Sequence, residues 1–377
     1  MEAKMAQYTG AAQYTRANAW NNGGTFANPD LLWYAKGVGA LQARQLSDPA
    51  SWWFFAAIHG EYISETSFPG WGFLPAPPAV PTTPLPSQND QDTYWDQCQH
   101  QSWYFPPWHR GYLLALEAQI RAEVINLGGP STWALPYWNY FGPGTESDIP
   151  PAFTEQTLPD GTPNPLFVTA RYGPNGDGNI FVPIPPVNQN CLTNDIYTGS
   201  DAVTPPPGFG GPQTGFSHFG GTSGNLENQP HNLVHGFVGG NAPDGQTWGL
   251  MSDPGLAALD PIFYLHHANI DRLWAAWNAT ATNTNPTTSS WLDGPGSIGE
   301  RAFVMPWPGG GSWPFTPQDV DSLSQLNYVY DDLTAPAPAV ASAAAAQRLS
   351  RLGAAAPAAA AKVQEGAAAV AGKNVEL

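Results

Sequence analysis

The chain has 377 residues, enough for one to three domains with a large buried core. Its 13 Lys and Arg against 30 Asp and Glu give a formal net charge of −17, which argues against nucleic acid or an anionic membrane as a partner. Charged residues make up only 11%, while Gly and Pro number 40 each and Trp 16, the composition of a loop-rich, aromatic-lined globular protein rather than a disordered one.

Two cysteines, Cys98 and Cys191, allow at most one disulfide. The segment from Met1 to Gly10 lacks the apolar run of a signal peptide, and no stretch reaches the ~18 apolar residues of a membrane span. The expected location is therefore the cytoplasm, or outside by an export route that shows no signal peptide.

Asn28-Pro29-Asp30 combines a cap residue, a first-turn proline and a first-turn acid, and predicts a helix running to about Arg44. Asp48-Pro49 repeats the device and is expected to start the helix that carries His59. Residues 68–91 are dense in proline and polar residues and predict a long surface loop that rims a site. Pro106-Pro107 opens the next helix, which carries His109 and stops at Gly128-Gly129-Pro130. From Ser131 to Gly224 the Gly/Pro/Asn-rich sequence predicts little regular structure. His218 lies there and is expected to be a core or surface histidine with no metal role. Two further helices follow, one from Leu226 and one capped by Asp260 ahead of Pro261. Beyond Leu333 alanine dominates, so the expected division is one domain over residues 1–333 and a low-complexity tail over 334–377.

Six of the eight histidines fall into two groups. His231 and His235, spaced i, i+4, project from one helical face. A third imidazole joins them from His266-His267, and periodicity alone does not choose between the two. His59, His100 and His109 form the other group. Three neutral imidazoles suit copper, and also zinc, iron or nickel. Di-iron bundles draw most ligands from Glu-x-x-His pairs, which this chain does not show. Two all-imidazole triads therefore read as a pair of copper ions.

With both histidine blocks in order between Arg16 and Tyr330, the chain resembles the tyrosinase family of type-3 copper proteins, which includes catechol oxidases and molluscan haemocyanin units. The resemblance implies a mainly α fold, a central four-helix bundle holding two copper ions and wrapped by long loops with a few short strands. It assigns His59, His100 and His109 to one copper, and His231, His235 and His267 to the other. It implies a phenol oxidase that uses O2 to hydroxylate monophenols and to oxidise o-diphenols to quinones. The alternatives are a catechol oxidase that spares monophenols and a haemocyanin-like O2 carrier. Small phenols and O2 are the expected partners, and the oligomeric state is left open.

The same resemblance gives roles to further residues. Cys98, two before His100, matches a cysteine joined to that histidine by a thioether. Glu227 and Asn232 match a pair that holds a proton-accepting water, and Gly236 after His235 adds no bulk. Aligned on His267, the position that carries a bulky plug in restricted members falls at Pro254, beside Gly255. Phe263, one turn before His267, is expected near the second copper. Tyr328-Val329-Tyr330 matches a motif that packs on an N-terminal arginine, for which Arg16 is the candidate. The alanine-rich tail is too short for a plugging domain but long enough for a peptide lid.

Overall fold

Helix starts follow the cap residues, with one displacement. In the computed structural model, which describes residues 14–199, 207–218 and 221–334, helix α1 (Pro29–Gln42) begins behind Asn28, whose side chain accepts from the Asp30 amide. Helix α2 (Trp52–His59) begins later than Asp48-Pro49 suggests. Asp48 instead closes a turn by accepting from Ala50 N, and Ser51 Oγ caps the helix by accepting from Phe54 N at 3.0 Å. The proline-rich loop ends sooner than expected, because Ser87 caps a short helix, α3 (Gln88–Tyr94). Helix α4 (Phe105–Asn126) has prolines in its first turn and Gly128, at φ +82°, just past its end.

The helix expected from Leu226 is broken. Glu227–Asn232 forms a wide turn in which Gln229 is extended (φ −155°, ψ 123°), and α5 (Leu233–Gly239) follows it. Pro230 has no amide to donate, and its ring clashes with a regular preceding turn. A short α6 (Pro254–Ala257) leads to α7 (Ile262–Asn278), whose Ile262 amide donates to Asp260 Oδ1. Between 131 and 224 the described residues hold only short 3-10 turns and isolated bridges, as the sequence predicts.

The architecture is mainly helical. Helix α4 packs on α1 and α7, α2 packs on α1 and α6, and α7 packs on the Glu227–Asn232 turn. Among the described residues, strands are confined to two pairs. β1 (Tyr14–Arg16) runs parallel to β4 (Tyr328–Tyr330), and β2 (Phe303–Trp307) runs antiparallel to β3 (Gly311–Phe315). The expected tail lies outside the described residues from 335 onward.

One buried ionic hub ties these elements together. Asp271 of α7 accepts from Arg110 Nε at 2.5 Å, Arg16 Nη1 at 3.1 Å and Tyr328 OH at 2.6 Å. The Arg16 guanidinium lies 3.9 Å from the Tyr328 ring centroid and also binds Glu117 of α4. Burial alone would raise the Asp271 carboxyl, yet Arg110 and Arg16 hold it below its ordinary value. Arg16 thus meets the tyrosine pair as the sequence suggests, but its anionic partners come from α4 and α7.

Candidate metal centre

The first histidine group draws on three segments. His59 is the last residue of α2, His109 sits in the first turns of α4, and His100 lies on the segment before α4. That segment is pinned along its length. Gln97 N donates to Ile58 O, His100 N donates to Ser217 O, and Asp96 and Gln101 both take φ +53°. Non-glycine residues in that region are strained, and such strain concentrates at functional sites. The ring centroids lie 5.3 Å (His59–His100), 5.5 Å (His100–His109) and 5.7 Å (His59–His109) apart.

The second group is tighter. His231 comes from the wide turn, His235 from α5, and His266 and His267 from α7. His267 Nε2 lies 3.2 Å from His231 Nε2 and 3.3 Å from His235 Nε2. The two groups face each other through His109 and His267, whose rings stack at 4.6 Å.

Second contacts orient the rings. A carbonyl oxygen only accepts, so a ring nitrogen bonded to one must carry the hydrogen. His59 Nδ1 donates to Pro254 O, His109 Nδ1 to Phe105 O and His235 Nδ1 to Met251 O, each at 2.8 Å. Each ring therefore presents an unprotonated Nε2 to the interior, the arrangement that outer-shell acceptors impose on metal-binding histidines. Burial lowers every one of these pKa values, to about 3 for His109 and about 4 for His235, so the imidazoles are neutral, the ligating form.

These residues fit a metal. His59 Nε2 and His109 Nε2 are buried without a hydrogen-bond partner, a cost of ~1–3 kcal/mol each unless something fills the position. Ligand nitrogens ~2.0–2.1 Å from one tetrahedral ion lie ~3.3 Å apart, and two edges of the second triad already match this spacing. All donors are imidazoles, a set that suits copper among others. His266 is fully buried within the same group, its ring stacking on His231 and meeting His235 edge-on, and it is His267 Nε2 that meets His231 and His235.

The remaining residues singled out by sequence take varied places. Cys98 Sγ lies 3.3 Å from His100 Nδ1, and burial pushes its thiol pKa up. His218, in neither metal group, packs on the same sulfur at 3.2 Å. Cys191 is a buried free thiol, so no disulfide forms. Phe263 is fully buried, with its ring 4.1 Å from His267 and 4.8 Å from His59. Pro254 acts through its carbonyl on His59, and Gly236 is buried in α5. Glu227 does not share a regular helical face with His231. Its carboxylate reaches across to accept from Gln101 N at 2.9 Å on each oxygen, and burial raises its pKa to about 8 against the pull of that amide, the Gly224 amide and the Ser223 hydroxyl. Asn232 Oδ1 accepts from His231 Nδ1 at 2.8 Å, and its Nδ2 faces Ser223 Oγ at 3.3 Å. Sequence reasoning missed two residues here. Ser223 carries no motif, and Tyr62 covers Gly255 so closely that an added Cβ there would lie 2.5 Å from its ring.

Comparisons with known proteins agree with this site. The family model for the common central domain of tyrosinase matches residues 49–280, a span that contains every histidine of both groups. Tyrosinase HcTyr1 of Hahella sp. (strain CCB-MM4) is 36% identical over 311 residues, 80% of this chain and 60% of that protein. Aureusidin synthase of Antirrhinum majus is 32% identical over 248 residues, 63% of this chain and 41% of that protein. The chain thus spans about half of the length of these two relatives. Among solved structures, latent apple tyrosinase superposes with a TM-score of 0.59 at 22% identity, covering 88% of this chain and 65% of that one. The polyphenol oxidase of Grenache (Vitis vinifera) gives 0.58 at 21%, covering 88% of each chain. At such identities the likeness speaks for the fold.

Proposed function

The chain belongs to the tyrosinase family, and from that premise we propose that it is a phenol oxidase that hydroxylates monophenols and oxidises o-diphenols to o-quinones at the expense of O2. The cofactor of the family is a binuclear copper centre, and His59, His100 and His109 would hold one ion while His231, His235 and His267 hold the other. Bound copper would supply O2 activation and electron exchange with the phenol. The observation that carries the reading is the pair of facing, neutral, all-imidazole groups with Nε2 atoms turned inward.

The protein's own residues supply the rest. Backbone carbonyls fix three ligand tautomers, and the wholly buried surroundings exclude bulk water from the ligand rings. Monophenols need a base, because a free phenol titrates near ~10. Glu227, at about 8 without any cation nearby, is matched to that proton far better than an ordinary carboxylate, and bound cations would favour its ionised form. Monophenol hydroxylation is therefore the finer part of the proposal. Oxygen uptake with a monophenol and, separately, its catechol tests it. Both should be consumed, the catechol faster, and Glu227→Gln should lower the monophenol rate ~10²-fold relative to the catechol rate. A wild-type protein that spares monophenols would be a catechol oxidase, and one that spares both would favour O2 carriage.

The Cys98–His100 thioether belongs to the same reading, supported by the 3.3 Å approach of Sγ to the ring. Loaded, denatured protein should weigh about two hydrogens less than its sequence, with peptide mapping joining the two residues. A Cys98 that alkylates fully would remove the bond.

A further inference from the structure

Two imidazoles from separate parts of the chain meet at one sulfur. Cys98 Sγ, wholly buried, lies 3.3 Å from His100 Nδ1 and 3.2 Å from His218 Nδ1. In the same group His59 and His109 turn Nδ1 to backbone carbonyls, whereas His100 turns Nδ1 to this sulfur. His218 belongs to neither metal group, yet its place is set by a metal-group residue. Ser217 O accepts from His100 N and Ser217 Oγ donates to His100 O, each at 3.0 Å, while Ser217 N donates to Gln99 Oε1 at 2.8 Å. The residue before His218 is thus bonded to both backbone groups of His100, and the two rings reach the sulfur from one paired unit.

The contacts of the His218 ring show how it acts. Its Nδ1 lies 3.0 Å from Cys98 O, and a carbonyl only accepts, so Nδ1 carries the ring hydrogen. The same N–H faces Sγ, a weak acceptor. His218 therefore holds Cys98 at two points, its backbone and its sulfur, as a donor and not as a base. A cysteine side chain has three staggered wells, and this hold favours the one that sets Sγ on His100. Of the two ring carbons bonded to Nδ1 of His100, Cγ carries the side chain and Cε1 carries a hydrogen. Cε1 is therefore the carbon open to the sulfur.

We propose that His218 is a positioning residue for the Cys98–His100 cross-link, clamping Sγ beside Cε1 of His100 through its Nδ1–H. The inference deepens the phenol-oxidase reading and rests on it for the thioether, though not for the hold on the sulfur. In the step, the Sγ–H and Cε1–H bonds break and an Sγ–Cε1 bond forms. The two electrons and two protons pass to O2, which becomes hydrogen peroxide.

The test compares wild type with His218→Ala and His218→Asn as full-length protein. Asparagine can place an NH2 where Nδ1 stands, the same number of bonds from Cα. Reduced, metal-free protein is given copper and O2, and the loss of about two hydrogens is followed by intact mass, with bound copper counted in parallel. His218→Ala should retain copper as wild type does yet cross-link at least ~3-fold more slowly, the factor expected when Sγ is free among three wells. His218→Asn should cross-link as wild type does. A wild-type rate in His218→Ala overturns the proposal, and an equal slowing in both variants overturns the role of the N–H donor. Alkylation of Cys98 in native, metal-free protein is the second measurement, and it needs no copper. It should be faster in His218→Ala than in wild type, and equal rates overturn the hold on the sulfur. A wild-type protein that never cross-links would remove the thioether reading itself, while the alkylation rates still decide whether His218 holds Cys98.

Discussion

The two histidine groups differ in how their ligands are oriented. The first is a backbone construction. His59 and His109 are oriented by the carbonyls of Pro254 and Phe105, and His100 rides on a segment anchored at Ile58 and Ser217. The second draws on both, since His235 is oriented by the Met251 carbonyl but His231 by the Asn232 side chain, whose Nδ2 faces Ser223 Oγ. Backbone acceptors survive most substitutions, whereas a side-chain chain can be broken or retuned at one residue. The first group is therefore expected to behave as a fixed holder and the second as the half where substrate preference is set.

The largest effect is expected where the halves are joined. Asp271 sits one turn beyond His267, and its partner Arg110 directly follows His109. Removing the carboxylate in Asp271→Ala leaves Arg110 buried without its counter-charge and Arg16 with Glu117 alone, which should cost ~3–5 kcal/mol in a denaturant unfolding experiment. It should also loosen copper at both sites. A loss confined to one site would show that the hub serves one group only.

Acid should act on the two groups alike. His109 and His235 have pKa values lowered to about 3 and about 4, against ~6.5 when unfolded. Below pH ~6.5 the unfolded chain binds protons that the native chain refuses, so the stability of metal-free protein should fall as pH falls. The loss should approach ~1.4 kcal/mol per pH unit for each such histidine, until the native pKa is reached. Unfolding midpoints measured between pH 7 and 4 would reveal it, and a flat profile would count against neutral buried imidazoles.

The smallest effect separates the groups again. Ser51→Ala removes the cap of α2 and should cost ~1 kcal/mol by thermal or chemical unfolding. The monophenol-to-catechol ratio should stay as in wild type, because α2 supplies only His59. A shift in that ratio would blur the division of labour.

Much of this was legible in the sequence, because metal ligands are a short list of residue types at helical spacing. The histidine blocks, the cap at Asn28 and the stop after α4 follow from local rules. What stayed hidden depends on contacts between distant segments. Asp48 and Ser51 both carry cap chemistry, and only the fold assigns the turn to one and the helix to the other. Pro254 acts through a carbonyl that any residue possesses, so its side chain carried no signal. Phe263 has the right spacing to reach the site, and its buried ring packs against His267 and His59. Ser223 is a common loop residue until Asn232 folds against it.

The central claim is that the two groups hold one copper each. Metal analysis of purified, copper-loaded protein tests it directly, alongside His109→Ala and His231→Ala. Two ions per wild-type chain are predicted, with His109→Ala losing mainly the ion of the first group and His231→Ala mainly that of the second. One ion per wild-type chain, or zinc taken in preference to copper when both are supplied, would contradict the account.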